Sequence, residues 1–91
     1  MRVFFGRRLV IVAVFAYIFL TVTSGSERDV CKKLSKYEEV VELNEVYGEY
    51  DVILGVQVEG LENLDRFITE EIRSIPNVIL TYTMVVARRC K

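Results

Sequence analysis

Few residues in this chain of 91 could do chemistry. The sequence has no histidine, and its two cysteines, Cys31 and Cys90, lack the Cys-x-x-Cys spacing of metal and redox sites. It therefore supports neither a metal centre nor a cysteine–histidine nucleophile pair. A disulfide between the two cysteines is one option for an exported protein, and two reduced thiols are the simpler interpretation.

The most distinctive polar group is the run Gly48, Glu49, Tyr50 and Asp51, which joins two β-type segments, residues 40–47 and 50–58. Gly48 can adopt the positive φ that short hairpin turns require, so the sequence predicts a tight β-hairpin here. Strict alternation along the second strand places Tyr50 on the same face as the apolar row that begins at Val52. Asp51 is then expected at the mouth of the strand, facing away from that row.

Two amphipathic helices are predicted on either side of this hairpin. The first covers about residues 27–36, has Ser26 as its expected hydroxyl N-cap, and carries Cys31 next to its apolar stripe. The second is marked by apolar residues at helical spacing and ends at Pro76. Those residues are Leu61, Leu64, Phe67, Ile68, Ile72 and Ile75. Both helices need a sheet face on which to bury these stripes.

A last strand is predicted over residues 78–87, with apolar residues at even positions and Thr81 and Thr83 at odd positions.

The N-terminal region admits two interpretations. Arg7 and Arg8 precede the uncharged residues 9–22, as in a secretory signal or a membrane anchor. The same run is rich in β-forming residues, and residues 16–23 would equally serve as a central strand buried on both faces.

The order of the other elements favours the strand. From Ser26 onward the predicted order is helix, strand, strand, helix, strand, which leaves the centre of the sheet empty unless residues 16–23 fill it. With that strand the chain becomes a ferredoxin-like β-α-β-β-α-β plait of the α+β class. Its antiparallel four-stranded sheet would carry both helices on one face.

Charge argues against direct contact with nucleic acid. The first 25 residues carry three arginines and no acidic residue, so all 13 acidic groups of the chain lie in the remainder. Such an acidic domain is a poor binder of phosphate backbones. The basic residues Arg88, Arg89 and Lys91 form only a short chain end.

From about Val14 to Arg88 the chain resembles the effector-binding (RAM) domain of the leucine-responsive/asparagine regulator family, Lrp/AsnC. The resemblance is carried by AYIFLTV, SGSERDV, VYGEYDVIL, LDRFITEEIRSIP and NVILTYTMVV, and most specifically by the glycine-x-tyrosine-aspartate pattern that ends at Asp51. Full-length members begin with a helix-turn-helix DNA reader, and nothing in residues 1–25 fits one. The expected division is an extension over residues 1–13, the domain over 14–88 and a tail over 89–91. A start codon placed too far upstream would explain the extension.

The resemblance implies a small amino-acid effector and assembly into dimers and larger even-numbered oligomers. It also suggests mixed oligomers with DNA-binding relatives. Together with the residue content, it leads us to expect a cytoplasmic location, no cofactor, no metal and no direct contact with nucleic acid. The implied effector site consists of Gly48, Glu49, Tyr50, Asp51, Thr81 and Thr83. The glycine and nearby amides would approach the ligand carboxylate, Asp51 would accept from its ammonium group, and Tyr50 would form a wall.

Each of these residues also has a purely structural interpretation. Gly48 could serve only the turn, Asp51 could cap the hairpin, and the two threonines are ordinary strand residues. Two other functions also stay open. Small enzymes share the ferredoxin-like dimer, although no histidine or glycine-rich phosphate loop supports catalysis. A membrane-anchored or exported domain rests on residues 9–22 alone.

Overall fold

The computed structural model describes residues 2–5, 8–11 and 13–91, with the surroundings of side chains from Ala13 onward. The strands are β1 (Arg2–Phe5), β2 (Arg8–Ile11), β3 (Val14–Val22), β4 (Val40–Glu45), β5 (Val52–Val58) and β6 (Val78–Val85). The helices are α1 (Glu27–Leu34) and α2 (Gly60–Arg66), and α2 continues as π-helical turns over Phe67–Ile72. From β3 onward the order is β-α-β-β-α-β, which confirms the ferredoxin-like fold.

The main sheet has the order β4-β5-β3-β6, and every neighbouring pair is antiparallel. The strand interpretation of the N-terminal apolar run is therefore confirmed, because β3 is a central strand paired on both sides. Within the described residues, no helix combines the length and hydrophobicity needed to cross a bilayer. β1 and β2 form a separate antiparallel pair inside the predicted extension, of which Met1, Gly6, Arg7 and Val12 lie outside the described residues.

The core lies between one face of this sheet and the two helices. Alternate residues of β3 and β5 are completely buried, among them Ile18, Leu20 and Leu54. They pack with Leu34 of α1 and Ile72 of the π-helical segment. Burying one such side chain contributes about 1.5–3 kcal/mol, so this layer dominates the stabilisation of the fold.

The second helix departs from its predicted pattern at its first turn. Leu61 is 60% exposed, so its assignment to the buried stripe is wrong, whereas Leu64, Phe67, Ile72 and Ile75 are buried as predicted. Leu61 is the second residue of α2, which begins at Gly60, and the first buried residue of this helix is Leu64. The apolar spacing located the buried stripe but not the point at which contact with the sheet begins.

The first helix begins where expected but is capped differently. Ser26 is the N-cap residue, yet its hydroxyl makes no capping bond and donates to the carbonyl of Thr23 at 2.5 Å. The Val30 amide donates to the Ser26 carbonyl, which closes the first helical turn. Ser26 therefore fastens the β3–α1 connection rather than the helix amides.

The hairpin between β4 and β5 is wider than predicted. The strands end at Glu45 and resume at Val52, so a six-residue connection over residues 46–51 replaces the expected two-residue turn. Gly48 has φ 143°, in the region that favours glycine, which agrees with its predicted role. This connection is called the glycine loop below.

Candidate functional site

Three hydrogen bonds meet at Asp51: two join the glycine loop to the end of β3, and one closes the loop on itself. The Val46 amide donates to the Asp51 carbonyl at 3.0 Å, and the Asp51 amide donates to the Leu20 carbonyl at 2.9 Å. The Val22 amide donates to Asp51 Oδ2 at 2.9 Å. Asp51 thus lies at the strand mouth, as predicted, and its carboxylate already has a backbone partner.

Tyr50 lies on the sheet face opposite to the predicted one. Its ring centroid is 5.3 Å from that of Phe19 and 6.3 Å from that of Tyr82. Phe19 lies between the buried Ile18 and Leu20, and Tyr82 is its cross-strand partner, so both rings lie on the face that the helices leave uncovered. The prediction failed because Tyr50 belongs to the loop, where the alternation of β5 has not begun.

This uncovered side of the sheet, called the open face below, is rich in aromatic and other large apolar side chains. Tyr82 is 51% exposed and Met84 is 50% exposed, and Tyr17 beside them is also exposed. The rings touch edge-on, with 5.1 Å between the centroids of Phe15 and Tyr17 and 6.1 Å between those of Phe19 and Tyr82. Contiguous exposed patches of this composition are typical of protein interaction surfaces.

Thr81 and Thr83 lie on the other side of the same strand. They are paired across the sheet with Leu20 and Ile18, so they share the helix-covered face and are partly buried. β3 separates them from β5 and from the glycine loop. Within one chain the structure does not bring the threonines to the loop, and their role as effector contacts stays a prediction.

A depression of about 610 Å³ opens beside the glycine loop. Its lining combines predicted and unexpected residues: Glu27, Arg28, Glu45, Val46, Tyr47, Gly48 and Asp51. A Cβ atom added at Gly48 would meet no other atom within 4 Å, so a ligand could approach this part of the backbone closely. The depression carries both signs of charge because the start of α1 lies next to the loop. Sequence spacing alone gave no signal of that tertiary contact.

A second depression, of about 600 Å³, lies away from the predicted site and is mainly acidic. Its lining includes Glu71, whose carboxylate accepts a hydrogen bond from the Tyr37 hydroxyl at 2.9 Å. That bond and burial raise the pKa of Tyr37 above its usual value. Among residues 13–91, no group of three or more histidine, cysteine or acidic side chains is placed to hold a metal ion.

Both cysteines are free thiols in the structure. Cys31 packs against the core as predicted, and burial, together with the nearby carboxylates of Glu45 and Glu27, raises the pKa of its thiol. Cys90 lies exposed in the tail. The two residues therefore differ in environment, and neither belongs to the depression beside the loop.

Comparison with known proteins agrees with this geometry. The family model described as the Lrp/AsnC ligand binding domain matches residues 15–91. Among curated proteins, the HTH-type transcriptional regulator FL11 of Pyrococcus abyssi is 35% identical over 79 residues, which cover 87% of this chain and 52% of that regulator. The chain thus spans about half the length of the curated relatives it matches.

Solved structures of similar proteins have the same fold. The crystal structure of FFRP-DM1 is 45% identical with a TM-score of 0.78, and the match covers 80% of this chain and 97% of that one. The crystal structure of the hypothetical protein PHS023 from Pyrococcus horikoshii is 43% identical with a TM-score of 0.78, covering 85% and 93% of the two chains. The arrangement of β3 to β6 with two helices is therefore shared with close relatives.

Proposed function

We propose that this chain, which belongs to the Lrp/AsnC ligand-binding domain family, is an amino-acid-sensing and self-association module of transcriptional regulation. The relatives it matches are named transcriptional regulators, which supports a regulatory rather than a catalytic role. A cytoplasmic location accords with such a role. The site and the surface that carry the function are the glycine loop and the open face.

One observation carries this proposal: the ring contacts of Tyr50. This residue belongs to the glycine loop, yet its ring packs on Phe19 and Tyr82 of the open face. A ligand that contacts the glycine loop would therefore be close to Tyr50, whose ring is part of the open face. Ligand binding would favour one assembly state, because a ligand shifts an equilibrium by its differential affinity for the two states.

The depression beside the loop suits a small zwitterion. The Arg28 guanidinium can pair with a carboxylate, and the Glu45 carboxylate can accept from an ammonium group. The open backbone at Gly48 allows the close approach that a small ligand needs. Free amino acids carry both charges on neighbouring atoms, so they match this arrangement.

The first step of self-association would proceed through the open face. Burial of Tyr82 and Met84 against a second copy would remove exposed apolar surface from water. Thr81 and Thr83 lie on the helix-covered face, so they would reach the ligand beside the glycine loop of another copy through a second contact, between dimers of an even-numbered assembly. The site of Gly48, Glu49, Tyr50, Asp51 and the two threonines would then be shared between copies.

DNA reading would be supplied by other members of the family. Within residues 13–91 both helices pack on the sheet, and neither is presented as a recognition helix. Mixed oligomers with DNA-binding relatives would bring the sensing module to DNA without direct contact between this domain and bases.

A thermal-unfolding screen with each of the twenty amino acids tests the effector. One or a few of them should raise Tm, since a ligand at about a hundred times its Kd stabilises the native state by about 2.7 kcal/mol. The Arg28→Gln variant should lose that increase. Arg73→Gln, a matched change at an exposed position just after the π-helical segment, should keep it. If no amino acid raises Tm, the proposed effector class is wrong.

A further inference from the structure

We infer that Asp51 is a positioning residue, whose carboxylate anchors the glycine loop to β3 and thereby sets Tyr50 on the open face. The consequence of this anchoring for regulation rests on the proposed function, in which Asp51 would connect the glycine loop, where the effector binds, to the open face, where copies associate. The anchoring itself is a property of the ligand-free chain.

The Asp51 carboxylate takes the place of a backbone acceptor at the point where the pairing of β3 with β5 ends. β5 begins at Val52, which is paired with Leu20, so the strand supplies no backbone partner for the Val22 amide two residues further along β3. Asp51 Oδ2 accepts a hydrogen bond from the Val22 amide at 2.9 Å. Val22 is only 4% exposed, so the amide has little access to water and depends on this acceptor.

The same residue also fixes the loop backbone. The Asp51 amide and carbonyl are both engaged, with Leu20 and with Val46. Because backbone and side chain are held at once, the direction in which the chain enters β5 is set at Asp51. The residue immediately before it is Tyr50, whose ring packs 5.3 Å from that of Phe19.

This geometry leaves the ammonium contact to another carboxylate. Asp51 is partly buried and already accepts a backbone hydrogen bond, whereas Glu45 in the same depression is exposed. No hydrogen bond within residues 13–91 engages the Glu45 carboxylate. Charge recognition is therefore assigned to Glu45, and loop positioning to Asp51.

The test compares Asp51→Ala, which removes the acceptor, with Asp51→Asn, which keeps an oxygen of similar position without the charge. Hydrogen exchange of the Val22 amide and the ring resonances of Tyr50 and Tyr82 are recorded without added amino acid. Asp51→Ala should speed Val22 exchange by about tenfold or more and shift both rings. Asp51→Asn should largely restore both. Asp65→Ala, an exposed aspartate on the second helix, should change neither.

Unchanged Val22 exchange or unmoved Tyr50 and Tyr82 rings in Asp51→Ala would overturn the inference. If Asp51→Ala does not fold while Asp51→Asn and Asp65→Ala do, the anchoring role is supported, because losing a ligand contact alone would not unfold the chain. The link between the glycine loop and the open face is then tested with Tyr50→Leu. This variant should shift the Tyr82 ring resonance and leave the exchange of the Val22 amide unchanged. An unmoved Tyr82 ring in that variant would overturn the link.

The ligand arm separates this inference from the proposed function. With any amino acid that raises Tm, Asp51→Asn should keep most of the increase and Glu45→Gln should lose it. The reverse result would show that Asp51 is the ammonium partner and overturn the assignment. If no amino acid raises Tm, the proposed function fails, while the exchange and ring measurements still decide the role of Asp51.

Discussion

The two faces of the central sheet are built from alternate residues of the same strands, yet they differ in chemistry. On the helix-covered face, Ile18, Leu20 and Leu54 are aliphatic and completely buried. On the open face, Tyr17 and Tyr82 are aromatic and remain exposed. Aliphatic residues fill the space under the helices, whereas tyrosines tolerate water and also bury well against a partner. One face therefore makes the fold, and the other is available for association.

The largest expected effect lies on the helix-covered face. Leu54→Ala removes a completely buried side chain and should lower the free energy of unfolding by about 2–5 kcal/mol. Urea denaturation at one fixed protein concentration measures this loss, because the proposed self-association would also contribute to the measured stability. Leu61→Ala, at a 60% exposed position, should change stability by no more than about 0.5 kcal/mol. Equal losses in the two variants would remove the distinction between core and surface.

The open face should respond to a charge by losing association while keeping the fold. Tyr82→Asp places a carboxylate in the exposed aromatic patch and should weaken self-association by about 2 kcal/mol or more, as expected for a central aromatic contact. Sedimentation velocity measures the change. Leu61→Asp, at a 60% exposed position on the second helix and away from both the open face and the glycine loop, is the control and should associate as the wild type does. Unaltered assembly of Tyr82→Asp would place the interface elsewhere.

A smaller effect is expected where the α1–β4 connection meets the second helix. Tyr37→Phe removes the hydrogen bond to Glu71 and should cost about 0.5–1.5 kcal/mol near neutral pH. The bond raises the pKa of Tyr37 in the folded state, so its contribution is complete below the ordinary tyrosine pKa and is lost as pH rises through the folded value. The difference from wild type should therefore shrink in alkaline solution. A difference that grows with pH would contradict the assignment.

The smallest perturbation compares the two thiols. Cys31 has a raised pKa and packs against the core, so less of it is thiolate at a given pH. Iodoacetamide should modify the exposed Cys90 well before Cys31, as peptide mass spectrometry would measure. Denaturation with urea should remove the difference. Faster modification of Cys31 in the native chain would indicate that the first helix packs less closely on the sheet.

Much of the fold could be predicted from the sequence because periodicity reports directly on burial. The alternation in residues 52–58 and the helical spacing of Leu64, Phe67 and Ile72 matched the structure. The strand over Val14–Val22 needed a further argument, because its local pattern also suits a membrane segment. Only the requirement that two apolar helix stripes share a complete sheet favoured the strand, and the structure confirms it.

The candidate site was less accessible to the same reasoning. Alternation places Tyr50 on the wrong face, because this residue belongs to a loop and not to the strand. The sequence also predicts that the Ser26 hydroxyl caps the first helix, but this hydroxyl makes no capping hydrogen bond. Arg28 and Glu45 were not selected, because they line one depression only through the tertiary contact between α1 and the glycine loop. Spacing along a chain carries no record of such a contact.

Native mass spectrometry, with and without a mixture of the twenty amino acids, tests most directly whether sensing and assembly belong to one module. It reports subunit number and bound small molecules together. We predict an even-numbered assembly whose mass or population is changed by one amino acid. A monomer that is indifferent to every amino acid would contradict the proposed function.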